Sequence, residues 1–173
     1  NNEIVAQLHP SGSVVIGLGG SAAELNAIAI GRSATATSDQ NIAIGFGSVA
    51  SGENTIALGV FASSEGSNGT AVGTNSAADG KNATAFGHLA KANGEEAVAI
   101  GGGSGAIELS AVALGPYSKA TAEKSFALGP NTEASALNSF ALGIGAKADT
   151  ENTVIIGEVQ EVGEVDITPA NVG

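Results

Sequence analysis

The chain has 173 residues; alanine (32) and glycine (26) make up one third of it, aromatics are 3%, and Cys, Met and Trp are absent, so a conventional jigsaw core is hard to assemble from these parts. Without cysteine there is no disulfide framework and no cysteine-ligated zinc or iron–sulfur site. Seventeen acids against six bases give a net charge of −11, which argues against binding nucleic acid or an anionic membrane through a general basic face, and no apolar run is long enough to cross a bilayer.

Residues 1–12 form a lead-in, after which a strict repeat begins. A glycine closing a short apolar run recurs at Gly17, Gly31, Gly45, Gly59, Gly73, Gly87, Gly101, Gly115, Gly129, Gly143 and Gly157, always 14 residues apart. Loops tolerate insertions and stacked coils do not, so an unbroken register over residues 13–157 predicts a solenoid. In each coil the three residues before the glycine read as a strand. Large apolar residues flank an alanine in it, as in Ile42-Ala43-Ile44 or Val98-Ala99-Ile100. Side chains alternate along a strand, so both of its faces are apolar.

A second strand follows the glycine. Its third position is only Gly, Ala, Ser or Thr, its fifth is almost always Ala, and the positions between are mostly polar, as at Lys91 and Asn93 or Lys119 and Thr121. Glycine or asparagine then carries the turn to the next coil (Gly52, Gly66, Gly80, Gly94; Asn54, Asn68, Asn82, Asn138), types that accept turn backbone. Fourteen residues suffice for a flat two-sided roll, and ten intervals of about 4.8 Å make a rod of about 48 Å. Residues 158–173 lose the period and gather Glu158, Glu161, Glu164 and Asp166; they read as an end cap or the start of a neck.

The second strand turns its one dry face into the roll. The first strand has two, and whichever is left outside forms an apolar stripe too large for a soluble monomer, so copies of the chain must cover it. The large residues are expected to point into the roll, with the alanine ladder outside where protomer backbones approach; the reverse assignment is the alternative. The residues expected to build roll core and protomer contact are Ile30, Ile44, Ala57, Ala71, Ala85, Ala99, Ile100, Ala113, Leu128 and Ala141.

The units Asn-Thr-Ile-Ala-Leu-Gly (54–59), Ala-Val-Ala-Ile-Gly (97–101) and Ser-Phe-Ala-Leu-Gly (139–143), each followed by alternating alanine, resemble the head repeat of the YadA-like trimeric autotransporter adhesins over about residues 13–157. The resemblance implies an all-β, left-handed parallel β-roll of 14-residue coils, homotrimeric, exposed at the cell surface of a Gram-negative bacterium. It implies attachment to host cells or to extracellular matrix proteins such as collagen, fibronectin or laminin. It also implies a stalk and a membrane-anchoring β-barrel beyond the head; neither is present in the chain, which is therefore expected to be a head segment.

No catalytic constellation stands out, and neither an enzyme nor a cofactor is expected. His9 and His88 lie several coils apart, and the clusters Gly17, Gly19, Gly20 and Gly101, Gly102, Gly103, Gly105 precede no helix, so they are read as turn chemistry rather than a phosphate loop. The glycosylation triplets at Asn68 and Asn82 arise by chance in a repeat rich in Asn and Thr. Candidate ligand-binding residues are the large side chains that break the pattern after the repeat glycine: Phe46, Phe61, His88, Leu89 and Tyr117. Packing at the rod edge is the plainer reading of them, and solvation the plainer reading of the charged outer ladder. The alternatives in other classes are a trimeric phage or viral tail-fibre segment and a purely structural spacer. An ice-binding solenoid is disfavoured because the Thr35/Thr37 pair does not recur.

Overall fold

The computed structural model describes residues 6–8 and 11–157. The expected cap or neck at 158–173 lies outside these residues, as does most of the lead-in. Each coil contributes one three-residue and one two-residue strand, from Val14–Ile16 and Ser21–Ala22 through Phe140–Leu142 and Lys147–Ala148, and Val154–Ile156 follows. Like strands stack in parallel, each residue paired with the one 14 positions on, as in Ile28↔Ile42 and Ile42↔Ile56, or Ala78↔Ala92. A lead strand, Ala6–Leu8, runs antiparallel along Val14–Ile16, giving a first sheet of 12 strands and a second of 10 among the described residues. The chain is an all-β parallel solenoid of 14-residue coils.

Both corners of the coil are four-residue turns whose third residue has positive φ. In the first corner the repeat glycine's carbonyl accepts the N–H three residues on, as from Ala62 to Gly59 at 3.2 Å. Its third position is glycine in some coils; in others it is Ser33, Phe61, Asn75, Leu89, Tyr117 or Asn131, with φ between 54° and 59°. Asparagine serves most often in the second corner (Asn26, Asn54, Asn68, Asn82, Asn138, Asn152), because its short amide tolerates the left-handed region. The repeat glycines themselves hold φ between +113° and +139° from Gly17 to Gly143, a region that side chains avoid.

Between the sheets lie four columns of small side chains. The alanines between the large pair (Ala29, Ala43, Ala57, Ala71, Ala85, Ala99, Ala113, Ala127, Ala141) are buried, as are the small residues three and five after the glycine, such as Ala90 and Ala92. The fourth column is the residue before the first strand: Ser13, Ala27, Asn41, Thr55, Ala83, Ala97, Ala111, Ser125 and Ser139. Hydroxyls at column positions that follow a turn donate back to the carbonyl opening it, as Ser104 to Gly101 at 2.8 Å and Thr132 to Gly129 at 2.7 Å. For that reason Ser and Thr substitute for Ala there. Asn41 is satisfied as well, donating to Ala50 O at 2.8 Å and accepting from Thr55 N at 2.8 Å.

This arrangement corrects the expected orientation of the first strand. Ala57, Ala71, Ala85, Ala99, Ala113 and Ala141 fill the roll, whereas Ile30, Ile44, Ile100 and Leu128 stand outside it, Ile44 at 38% and Ile100 at 42% exposure. The reason is parity. The small residue before the strand shares a face with the alanine two positions later, and together they match the small face of the second strand across a thin interior. The columns stay small along the rod, with Val15 and Ile155 taking the ladder position in the end coils.

Ser64 is the one departure in its column of alanines, and its buried Oγ has no hydrogen-bond partner. The same hydroxyl occupies the space a Cβ would need at Gly69, 2.6 Å away. Ser64→Ala is expected to stabilise the chain by about 1 kcal/mol by removing an orphaned hydroxyl, and to make Gly69→Ala less damaging than it is beside Ser64. Urea midpoints of the single and double variants at one protein concentration check both; a destabilised Ser64→Ala contradicts the packing described.

Candidate functional site: an apolar flank and a trough on the far sheet

Two surfaces depart from what solvation alone requires. The first is the outer face of the first sheet, where the large pairs form two columns running the length of the rod. Ile16, Phe86, Ile100, Phe126, Leu128, Val154 and Ile156 are 37% to 75% exposed, and Phe126 stacks on Phe140 with ring centroids 5.6 Å apart. The adjoining first corner adds Leu18, Phe46, Val60 and Ile144. No aspartate or glutamate falls on this face or corner; those between residues 11 and 157 all lie on the second sheet or the second corner. The exposed apolar area is on the order of 1,000 Å2, beyond the few hundred of a typical monomer's largest patch.

The second surface begins at the same corner, where the pattern-breaking residues are all exposed. The structure sorts them into two groups. Phe46 and Phe61 meet edge to face at 5.0 Å, with the Arg32 guanidinium 5.5 Å from the Phe46 ring centre. Two coils beyond Phe61 stands Leu89, and two beyond that Tyr117; His88 lies beside Leu89, its Nδ1 3.2 Å from Thr74 O. Leu89 and Tyr117 wall a trough of about 470 Å3 floored by Gly103, Ser104 and Gly105, with Lys91, Lys119, Ile107 and Thr121 along the outer sheet. The Tyr117 ring lies over Gly103, where a Cβ would meet it at 2.8 Å.

From the sequence the lysines of the trough read only as a solvated ladder, and Gly105 as part of a turn. It sits instead within the strand Gly105–Ala106, paired with Lys91 on one side and Lys119 on the other. A missing side chain in the middle of a lysine column opens the trough, and the signal was present in the repeat: one coil has glycine at the first, second and fourth positions after Gly101. Of the other outer charges, Lys147 pairs with Glu133 at 3.8 Å. Among the described residues, no three His, Cys, Asp or Glu side chains are grouped to hold a metal.

Asp79 borders this surface. Burial chiefly, then the Glu65 charge, raise its carboxyl above the ordinary 3.8, while Lys91 pulls it down. The folded chain therefore holds this proton more tightly than the unfolded one. Stability falls as pH rises from the ordinary carboxylate value through the raised one. Asp79→Asn is expected to raise the neutral-pH melting temperature slightly and to lose its advantage near pH 4; an unchanged difference across that range contradicts the sign.

An unbroken parallel solenoid with one flank free of carboxylates among the described residues and its acids on the opposite side is a fibrous module rather than an enclosed binding fold. The YadA head domain repeat family matches residues 22–48, 50–76, 78–104, 106–132 and 134–157, each match covering two coils or nearly so; the chain belongs to this family. Among solved structures it is similar to the collagen-binding domain of the Yersinia adhesin YadA, with a TM-score of 0.67 and 34% identity over 70% of this chain and 68% of that one. No curated protein matches the chain.

Proposed function

We propose that the chain is the head of a bacterial adhesin, a homotrimer held at the outer membrane of a Gram-negative cell by segments beyond it, and that it attaches without catalysis to host extracellular matrix, collagen foremost. The observation that carries this reading is the 34% identity to the Yersinia collagen-binding domain across the coils. The apolar flank supports the assembly: three copies facing one axis would cover it and leave the second sheets outward. Residues 1–12 and 158–173 then serve as lead-in and as cap or neck. Contacts with an extended matrix protein are spread over several coils and three chains, so avidity supplies the affinity. Surface-immobilised collagens, fibronectin and laminin, probed with the purified chain, test the reading. Saturable binding to collagen is expected, and failure on every matrix protein and on host cells would leave a spacer in its place.

A further inference from the structure

The trough is the meeting point of two rows that share one spacing. Large apolar side chains on the strained third position of the first corner recur at Phe61, Leu89 and Tyr117, with φ of 54°, 59° and 57°. Lysines on the outer sheet recur at Lys91, Lys119 and Lys147. Each step in both rows is 28 residues, two coils, which is about 9.6 Å along the rod. Between the apolar residues stand Asn75 and Gly103, so the row is a set of knobs separated by low positions. Left-handed backbone costs a large L-residue about 1 to 2 kcal/mol, and the other first corners place Gly, Asn or Ser at this position.

The spacing selects the conformation of an occupant lying along the rod. An extended β-strand returns a side chain to the same face every two residues, about 6.8 Å, and again at about 13.6 Å; neither matches. A polyproline-II chain returns every three residues with a rise of about 9.3 Å, which does. Such chains are recognised by aromatic-lined grooves that grip their proline rings, and Tyr117 with Leu89 supplies such walls. Lys91 and Lys119 flank the Gly105 gap, and among the described residues neither has a carboxylate within ion-pairing distance, whereas Lys81, Lys124 and Lys147 each do. On a chain with a net charge of −11, Lys91 feels the Asp79 carboxyl and Lys119 is the ladder neighbour of Glu133, but neither ammonium is held in a close ion pair, so both are open to an incoming carboxylate.

We propose that the trough binds one strand of a collagen-type polyproline-II chain running along the rod, with carboxylates at every third residue meeting Lys91 and Lys119 and imino-acid rings resting between Leu89 and Tyr117. This rests on the reading of the chain as a matrix adhesin and gives that reading a site and a charge preference. Lys91, Gly105 and Lys119 lie on the second sheet, on the far side of the roll from the large apolar columns, so assembly through those columns leaves this side of the trough open, with Leu89 and Tyr117 on the corner between.

The test uses the whole chain in its assembled state and two triple-helical peptides of Gly-Pro-hydroxyproline triplets. One carries Gly-Glu-hydroxyproline in three successive central triplets and the other Gln in place of Glu. The acidic peptide is expected to bind roughly five- to tenfold more tightly, from two surface ion pairs repeated in each copy, with the advantage fading in high salt. The Lys91→Gln/Lys119→Gln double variant should bind both peptides equally, while Lys124→Gln, whose lysine is paired with Glu123 at 2.9 Å, keeps the preference. Gly105→Val closes the trough at a strand position where a Cβ would meet only the Ile107 Cδ1, at an ordinary 3.8 Å, and should keep the fold while losing the acidic peptide. Equal binding of both peptides to the unaltered chain would overturn the proposal, as would a double variant that keeps the preference, or heparin bound through the same lysines in place of the peptide. Collagen bound as before by the double variant would leave the adhesin reading standing without this site, and no collagen binding by the unaltered chain would remove both.

Discussion

Gly73→Ala is expected to break the rod at its centre. The residue holds φ +134°, and a Cβ there would strike the carbonyl group of Gly87 one coil on, with its carbon 2.6 Å away. The backbone term alone is about 1 to 3 kcal/mol. The clash adds to it because the atom in the way is main chain, held by the Gly87 N–H to Val72 O bond at 2.8 Å. A loss of about 3 kcal/mol or more is therefore expected, against about 1 kcal/mol for Asn75→Ala two residues later, where only left-handed backbone is at stake. Urea unfolding of the two variants side by side measures the difference. Equal midpoints would mean that the repeat glycine marks only a turn and not a close approach between coils.

Ala99→Glu and Ile100→Glu, adjacent in sequence, are expected to fail in different ways. Ala99 is fully buried in the small-residue interior, and the buried polar residues among those described are Ser, Thr and Asn, all uncharged. A carboxylate at that point has no partner, and the penalty of more than about 4 kcal/mol puts the variant among those that do not fold. Ile100 is 42% exposed on the outer face of the first sheet. Glutamate there leaves the single roll intact and places one charge per copy in the covered flank, at roughly 3 kcal/mol or more each. Circular dichroism should show β-structure lost for the first and kept for the second, with only the second yielding folded monomers by light scattering. A folded Ala99→Glu, or an Ile100→Glu that assembles like the parent chain, contradicts the orientation of the first strand.

That orientation is also where sequence reasoning erred. The 14-residue period fixed the parallel register, both strands and both corners, because a stacked backbone leaves no slack for insertions. The two faces of the first strand both looked dry, and size alone suggested that the large residues go inside. The deciding residue is the one before the strand: Ala27, Thr55, Ala83 and Ser125 share parity with the alanine ladder, and together they form the small face that matches the small face of the second strand. The trough was hidden differently. Gly101, Gly102, Gly103 and Gly105 read as one turn-forming cluster, although Gly105 lies in a strand where its missing side chain, rather than its φ, is what matters. Composition points to turns, and only position relative to the period separates a turn glycine from a gap.

The flank also accounts for the charge distribution. Carboxylates held to the second sheet and second corner keep the outer surface wet and mutually repulsive between assemblies, while the flank, free of carboxylates and with Arg32 at its corner, carries little desolvation cost when copies meet. At half exposure each large residue has on the order of 1 kcal/mol still to gain from burial, repeated over eleven coils. That sum has to exceed the cost of bringing chains together, and the area involved, about 1,000 Å2 per chain, is what a stable interface needs.

Sedimentation equilibrium of the unaltered chain at micromolar concentration and moderate salt tests the covered flank most directly. A single species at about three times the 16.6 kDa chain mass is expected. A well-ordered species of 16.6 kDa, persisting across that range, would mean that the apolar columns need no partner.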